Sequence, residues 1–266
     1  MYKRIVSMAP SNTEILYALG VQDKLVAVTR YCDFPSDAAK KPKIGGWLDI
    51  KEELVKGYNP DLILTSTFVQ NEITEKYKKM GMNVVSLMPT TLVGVFNSIK
   101  KIGKLVGREK EAEELVKGMN RRISFVKSRS RFASYRPRLY VEEWHKPATV
   151  SGNWVPTLAR FAGADYRLIR AGHHSREVFL EEMQDYNPEV IVLSICGLSD
   201  KAPKEWVVKR EGWENIRAVR NKNVHVFDDS LLNRPGPRLV DGLEKLAAIL
   251  HPEVFKGSEE ASKVNH

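Results

Sequence analysis

Tyr58-Asn59-Pro60-Asp61-Leu62-Ile63-Leu64-Thr65-Ser66 is a phrase the chain uses twice, recurring as Tyr186-Asn187-Pro188-Glu189-Val190-Ile191-Val192-Leu193-Ser194. Each copy follows a polar, Glu-bearing segment, Ile50 to Gly57 and Phe179 to Asp185, that reads as a helix. Proline disfavours the α conformation of the residue before it, so Asn-Pro ends each helix. The apolar runs beyond have the unbroken character of strands buried on both faces. Each copy is therefore expected to be a helix-turn-strand unit of a parallel sheet, and the chain reads as a duplication.

The correspondence extends beyond the phrase. Lys3-Arg4-Ile5-Val6-Ser7-Met8 and Pro137-Arg138-Leu139-Tyr140-Val141 open the halves as short apolar strands, and Asn83 to Leu87 and Asn223 to Phe227 close them. The helix after the first opening strand, Thr13 to Leu19, carries a capping box in Ser11 and Glu14; its counterpart runs from Val155 to Phe161 and stops at Gly163. Strands alternating with helices in each half predict an α/β protein of two lobes. Between them, apolar residues at helical spacing, from Val95 to Val106 and again from Leu115 to Val126, predict helices broken at Gly107. The proline-free stretch from Glu109 to Phe132, about 24 residues or roughly 36 Å of helix, reads as one rod joining the lobes. The domain reading is an N-terminal lobe over residues 1–91, a helical region over 92–133 and a C-terminal lobe over 134–252. A flexible tail over 253–266 follows, polar and frayed from Lys256.

At 266 residues, with 42% hydrophobic and 28% charged content, the chain is long enough for one or two domains with a sizeable core. A net charge of +9 raises the question of an anionic partner, a nucleic acid or a membrane surface. The bases, however, are mixed with Glu along helices and cluster only at Arg121-Arg122, Lys127 to Arg131 and Arg136 to Arg138, with no RNA-binding or helix-turn-helix signature. The reading is a solvated face and no nucleic acid. Cys32 and Cys196 lie one in each half, in no metal or redox spacing, and Cys196 reads as an inert buried thiol. No apolar run reaches the roughly 18 residues of a membrane helix, and no signal peptide or lipid-anchor cysteine precedes the first strand.

The dinucleotide, P-loop, nucleophile-elbow and zincin motifs are all absent, which removes the usual support for those chemistries. Ligands of open α/β sheets bind beyond the carboxyl ends of the strands, so the loops there carry the functional reading. Tyr31, Trp47 and Phe68 lie in such loops of the first half, and Trp144, His145, Trp154, His173, His174, Asn233 and Arg234 in those of the second. Trp47, Trp144 and Trp154 are three of five tryptophans, each near Gly or Pro where a core rarely needs one, although Trp154 at a helix start suits packing equally well. Aromatic groups from both halves suit a large, flat, mostly apolar ligand.

At these loops the sequence resembles the cobalamin-binding proteins of corrinoid ABC importers, within a class that also takes haem and iron-siderophores. The resemblance rests on Arg4 to Gly20 (RIVSMAPSNTEILYALG), Thr29 to Pro35 (TRYCDFP), Gly45-Gly46-Trp47, Asn59-Pro60-Asp61-Leu62 and Arg234-Pro-Gly-Pro-Arg238, and spans residues 3 to 250. It implies two Rossmann-like lobes joined by a single long helix and a corrinoid, cobalamin or cobinamide, held in a cleft between the lobes. It further implies delivery to an ABC transporter permease, no reaction, no catalytic residue, no cofactor, and a monomer working outside the cytoplasmic membrane. Tyr31 and Trp47 match aromatic residues lining the corrinoid cleft. Glu53 and Glu177 match the pair of surface glutamates, one per lobe, that meets permease arginines.

The chain departs from that pattern at Ser66 and Ala171, where the resembled proteins carry tryptophans, so the pocket is expected to be remodelled with Phe68, Trp144 and His173 or His174 as substitutes. His145, His173 and His174 are candidate axial ligands to cobalt or iron, or hydrogen-bond donors to the ligand, or plain loop residues. A haem or iron-siderophore receptor is the near alternative. The distant ones are an intracellular corrinoid carrier, which the absent export signal would suit, and a corrinoid-handling enzyme drawing on His145, His173, His174, Asp229 or Glu143.

Overall fold

A computed structural model describes residues 1–255. The chain divides into two compact units, the first made of Met1–Pro89, Val93–Met119 and Pro235–Pro237, the second of Thr90–Leu92, Asn120–Arg234 and the chain from Arg238.

The first unit runs β1 (Ile5–Ser7), α1 (Pro10–Ala18), β2 (Leu25–Val28), α2 (Glu52–Gly57), β3 (Leu62–Ser66), α3 (Asn71–Lys79) and β4 (Val84–Leu87). Its four strands form a parallel sheet in the order β2-β1-β3-β4. Every residue of β1 and β3 is buried, as unbroken apolar runs demand. Val6, Met8, Ala27, Ile44, Val55, Ile63 and Tyr77 form a core cluster, each aliphatic contributing roughly 1.5–3 kcal/mol if burial is complete. Two helices follow, α4 (Leu92–Val106) and α5 (Glu109–Arg129), and the boundary between units falls inside α5.

The second unit runs β5 (Leu139–Trp144), β6 (Thr149–Val150), α6 (Val155–Phe161), β7 (Arg176–Glu177), α7 (Leu180–Tyr186) and β8 (Val190–Leu193). It continues through α8 (Glu205–Val208), α9 (Arg217–Arg220), β9 (Val224–Val226), α10 (Ser230–Asn233), α11 (Leu239–Leu250) and α12 (Pro252–Phe255). The sheet order is β7-β6-β5-β8-β9; β5, β8 and β9 are parallel, and β6 and β7 extend the edge antiparallel.

The repeated phrase folds the same way in both units. Asn59 and Asn187 each adopt a left-handed backbone, φ 43° and 46°, a conformation Asn tolerates better than other residues with a Cβ. An arginine from the opening strand then bonds the carbonyls at the helix end: Arg4 Nε donates to Tyr58 O at 3.1 Å, and Arg138 Nε to Asn187 O at 2.9 Å. The acid of the phrase reaches the other way. Asp61 accepts from the backbone N–H of Lys3 and Arg4 at 2.7 and 2.9 Å, and Glu189 from that of Arg138 at 3.2 Å. Each phrase thus ties its strand to the start of its neighbour.

Several local expectations are corrected. Helix α1 begins at Pro10, with Ala9 at the cap and no side-chain cap bond, because proline fits the first helical position; Ser11 and Glu14 lie buried inside the helix instead of forming a capping box. Helix α5 stops at Arg129 and yields to a 3₁₀ turn over Ser130–Phe132. Glu177, just before the expected helix, sits in strand β7. Cys196 is exposed and Cys32 buried, and both are free thiols. Residues 253–255, expected in a flexible tail, belong to α12, where Phe255 is buried; the frayed segment expected from Lys256 lies outside the described residues.

Candidate functional site

In the first unit the loops after β1, β2 and β3 are held together by one side chain. The Gln70 carboxamide is fully buried: its Nε2 donates to Met8 O at 2.8 Å and to Trp47 O at 3.0 Å, and its Oε1 accepts from the Ser66 N–H at 2.9 Å. Asn12 adds a bond from Nδ2 to Thr65 O at 3.1 Å. The Trp47 loop is further closed by the Arg30–Asp49 ion pair and by the Arg30 N–H donating to Gly45 O at 2.8 Å. Gly45 has φ 124°, and a Cβ there would collide with the backbone of Asp49, so this turn requires glycine. Tyr31 is positioned by its neighbour Cys32, whose sulfur lies 3.2 Å from the Thr13 hydroxyl and whose thiol burial pushes up. On this frame Tyr31 and Phe68 are exposed and Trp47 is half-buried.

In the second unit the frame is ionic. Glu142, at 0% exposure, accepts two bonds from Arg210 at 2.7 Å each and one from the Tyr140 hydroxyl at 3.0 Å. Arg210 stacks over the Trp213 ring at 4.3 Å. It also lies 3.0 Å from His145 Nδ1, and the His145 ring stacks on Trp206 with centroids 4.1 Å apart. Burial and the adjacent Arg210 charge hold the His145 pKa below the usual histidine value. The next chain segment over is anchored by Gly152, whose N–H donates to Ser175 Oγ at 2.9 Å while the Asn153 N–H donates to His173 O at 2.6 Å. A Cβ on Gly152 would overlap the His173 carbonyl, which is why the two loops can lie so close.

These frames sort the expected residues. Trp144 is exposed, its indole N–H turned back to Lys146 O at 3.0 Å, and His173 and His174 are exposed. Trp154 is different: it is 4% exposed and its Nε1 donates to Leu232 O at 2.7 Å, so it packs inside the unit. His145 is likewise engaged by Trp206 and Arg210. Asn233 bonds Ser194 O at 2.7 Å and Cys196 Sγ at 3.2 Å, closing the end of β8 beside Arg234, which is half-buried. Asp229 accepts from the Gly197 and Ser199 N–H groups at 3.1 and 2.8 Å, and burial nonetheless raises its carboxyl above the ordinary range. Burial does the same to Glu143 despite a hydrogen bond from Ser175. Glu53 and Glu177 are both exposed; the adjacent Glu52 is the one bound by Lys56 and Lys76. Among the described residues no group of three or more His, Cys, Asp or Glu side chains is placed to hold a metal ion, and no helix is long and apolar enough to cross a membrane.

The sequence reading missed Gln70, Glu142 and Arg210. Gln70 carried no motif, although a polar residue four positions after an apolar strand was a signal. Arg210 is remote in sequence from the glutamate it neutralises.

A family model described as periplasmic binding protein covers residues 5–231. The chain belongs to the periplasmic binding protein family. An uncharacterised ABC transporter substrate-binding lipoprotein of Bacillus subtilis is 31% identical over 96% of this chain and 82% of its own length. A vitamin B12-binding protein of Vibrio parahaemolyticus is 26% identical over 91% of this chain and 86% of its own. Among solved structures, a periplasmic haem-binding protein of Pseudomonas aeruginosa shares the fold, with a TM-score of 0.82 at 23% identity over 95% of this chain and 94% of that one.

Proposed function

We propose that this member of the family is the substrate-binding protein of an ABC importer and that its cargo is a corrinoid, cobalamin or cobinamide, bound without chemical change outside the cytoplasmic membrane. The observation that carries the reading is the exposure of Tyr31, Phe68 and Trp144 at or beyond strand ends that buried polar groups fix from beneath. Large rings are normally buried, and rings presented on rigid loops bind a broad apolar face with little loss of side-chain entropy. The vitamin B12-binding name of a relative that aligns along most of the chain supports the same cargo.

The test is titration with cyanocobalamin. Tryptophan fluorescence is expected to be quenched with one-to-one stoichiometry, and the protein to keep a pink colour after desalting at micromolar concentration. No quenching and no retained colour would sink the corrinoid reading. A second reading, a haem receptor, is favoured by the exposed His173-His174 pair, whose imidazoles are accessible to an iron; a retained haem spectrum, lost in His173→Ala with His174→Ala, would establish it.

Docking to the permease is assigned to Glu53 and Glu177, both exposed. Reversing both, Glu53→Arg with Glu177→Arg, sets like charge against permease arginines and is expected to abolish uptake into vesicles bearing the cognate permease while leaving cargo affinity unchanged. Continued transport by the double variant would return these residues to ordinary surface charge.

A further inference from the structure

Helix α5 and the turn after it carry an exposed stripe that the binding function does not use. At about 100° per residue, positions 121, 125 and 128 of α5 fall within roughly 60° of one another, opposite the buried Ile123 and Val126, and Phe132 follows in the 3₁₀ turn. Phe125 on that stripe is 51% exposed, and Phe132 in the turn is 80% exposed. Two phenylalanines presented to solvent within seven residues are unusual beside a helix face that is well packed on its other side. The packing is secured elsewhere: Arg122 pairs with Asp241 and Glu244 at 2.5 and 2.6 Å, Lys127 covers the Phe161 ring at 5.1 Å, and Arg129 Nη2 donates to Val254 O at 2.6 Å. Neither phenylalanine takes part in these contacts.

The unpaired charge around them is mostly basic, since the acids that approach are each paired: Asp241 and Glu244 with Arg122, and Glu189 with Arg217. No Asp or Glu occurs between Glu114 and Glu142, while Arg121, Lys127, Arg129, Arg131 and Arg136 are all exposed there. Tyr135 is exposed as well, with its hydroxyl donating to Glu189 at 2.6 Å. Bases flanking aromatic wedges on one helix face are the composition that seats a helix at an anionic lipid surface, the rings entering the headgroup boundary and the cations meeting phosphates. A protein partner would have to supply both an apolar groove and a dense acidic rim.

We infer that the Arg121–Arg136 face of the second unit docks on a bilayer containing anionic lipid. This contact holds the protein at the membrane independently of cargo and of the glutamate pair, so its failure leaves the corrinoid reading untouched. The test is co-sedimentation of the full chain with vesicles of phosphatidylcholine alone and of equimolar phosphatidylcholine and phosphatidylglycerol. Binding is expected only to the anionic vesicles, weakening as salt rises. Phe125→Ser with Phe132→Ser, and separately Arg121→Glu with Arg131→Glu, should each lower partitioning about tenfold. Lys78→Glu with Lys79→Glu on α3 changes net charge equally and should have much less effect.

An equal loss in the α3 variant would show a response to net charge alone and overturn the assignment. So would the absence of binding to the anionic vesicles. Concentration-dependent self-association without vesicles that the phenylalanine variant abolishes would assign the stripe to a second copy of the chain, and it too would overturn the proposal.

Discussion

The two units solve one problem, fixing the loops at the carboxyl ends of parallel strands, with different chemistry. The first uses a neutral amide, Gln70, shared among three loops. The second uses a buried ion pair, Glu142 with Arg210, beneath an antiparallel extension that the first sheet lacks. A neutral amide loses only hydrogen bonds when removed. A buried ion pair is asymmetric: replacing both members is tolerable, whereas removing one strands a charge in the interior.

The largest effect should therefore fall on the second unit. Arg210→Met leaves Glu142 uncompensated and is expected to destabilise the protein by about 3–5 kcal/mol in urea denaturation, while Glu142→Leu combined with Arg210→Met regains most of it. A single variant costing less than about 1 kcal/mol would break the contrast. Gln70→Ala should cost about 2 kcal/mol, the usual penalty for leaving buried amide partners unsatisfied, and a loss equal to that of Arg210→Met would erase the distinction between the frames. Trp47→Ala or Tyr31→Ala should leave stability nearly intact and weaken cyanocobalamin binding about thirtyfold, near 2 kcal/mol. Unchanged dissociation constants in both would remove the first unit's rings from the site.

The smallest effect sharpens the duplication itself. Asn59→Gly should be neutral within a few tenths of a kcal/mol, since glycine accepts a left-handed backbone. Asn187→Gly should cost about 1 kcal/mol more, because Asn187 Oδ1 also accepts the Arg217 N–H at 2.9 Å. Equal thermal shifts for the two variants would mean that this added bond contributes nothing.

Much of the fold was legible because its signals are local. The Asn-Pro-acid phrase announced both helix-strand junctions, and the apolar runs of β3 and β8 named the central strands. The failures arose where tertiary contacts overrode local grammar. Ser11 matched a capping pattern, but Pro10 moved the helix start and buried Ser11 and Glu14. Trp154, beside Gly152 at a helix start, suited ligand and packing equally; the turn at Asn153 (φ 52°) leads into α6, where the indole finds Leu232 O and packing wins. The frame residues had no pattern to read, since the partners of Gln70 and Arg210 come from distant parts of the chain. The rings were read from their place beyond the strand ends, Tyr31 and Trp47 from resemblance as well, and the two glutamates from resemblance alone; the structure adds that Tyr31, Phe68, Trp144, Glu53 and Glu177 are exposed.

Gln70 makes the loops of the first unit a single exchange unit. The Ser66 amide proton is held by the same carboxamide that holds Trp47 O and Met8 O, so it can meet solvent only when that carboxamide lets go. A disturbance at Trp47 will therefore be written into the deuterium uptake of Ser66, at the end of a strand the disturbance never touches.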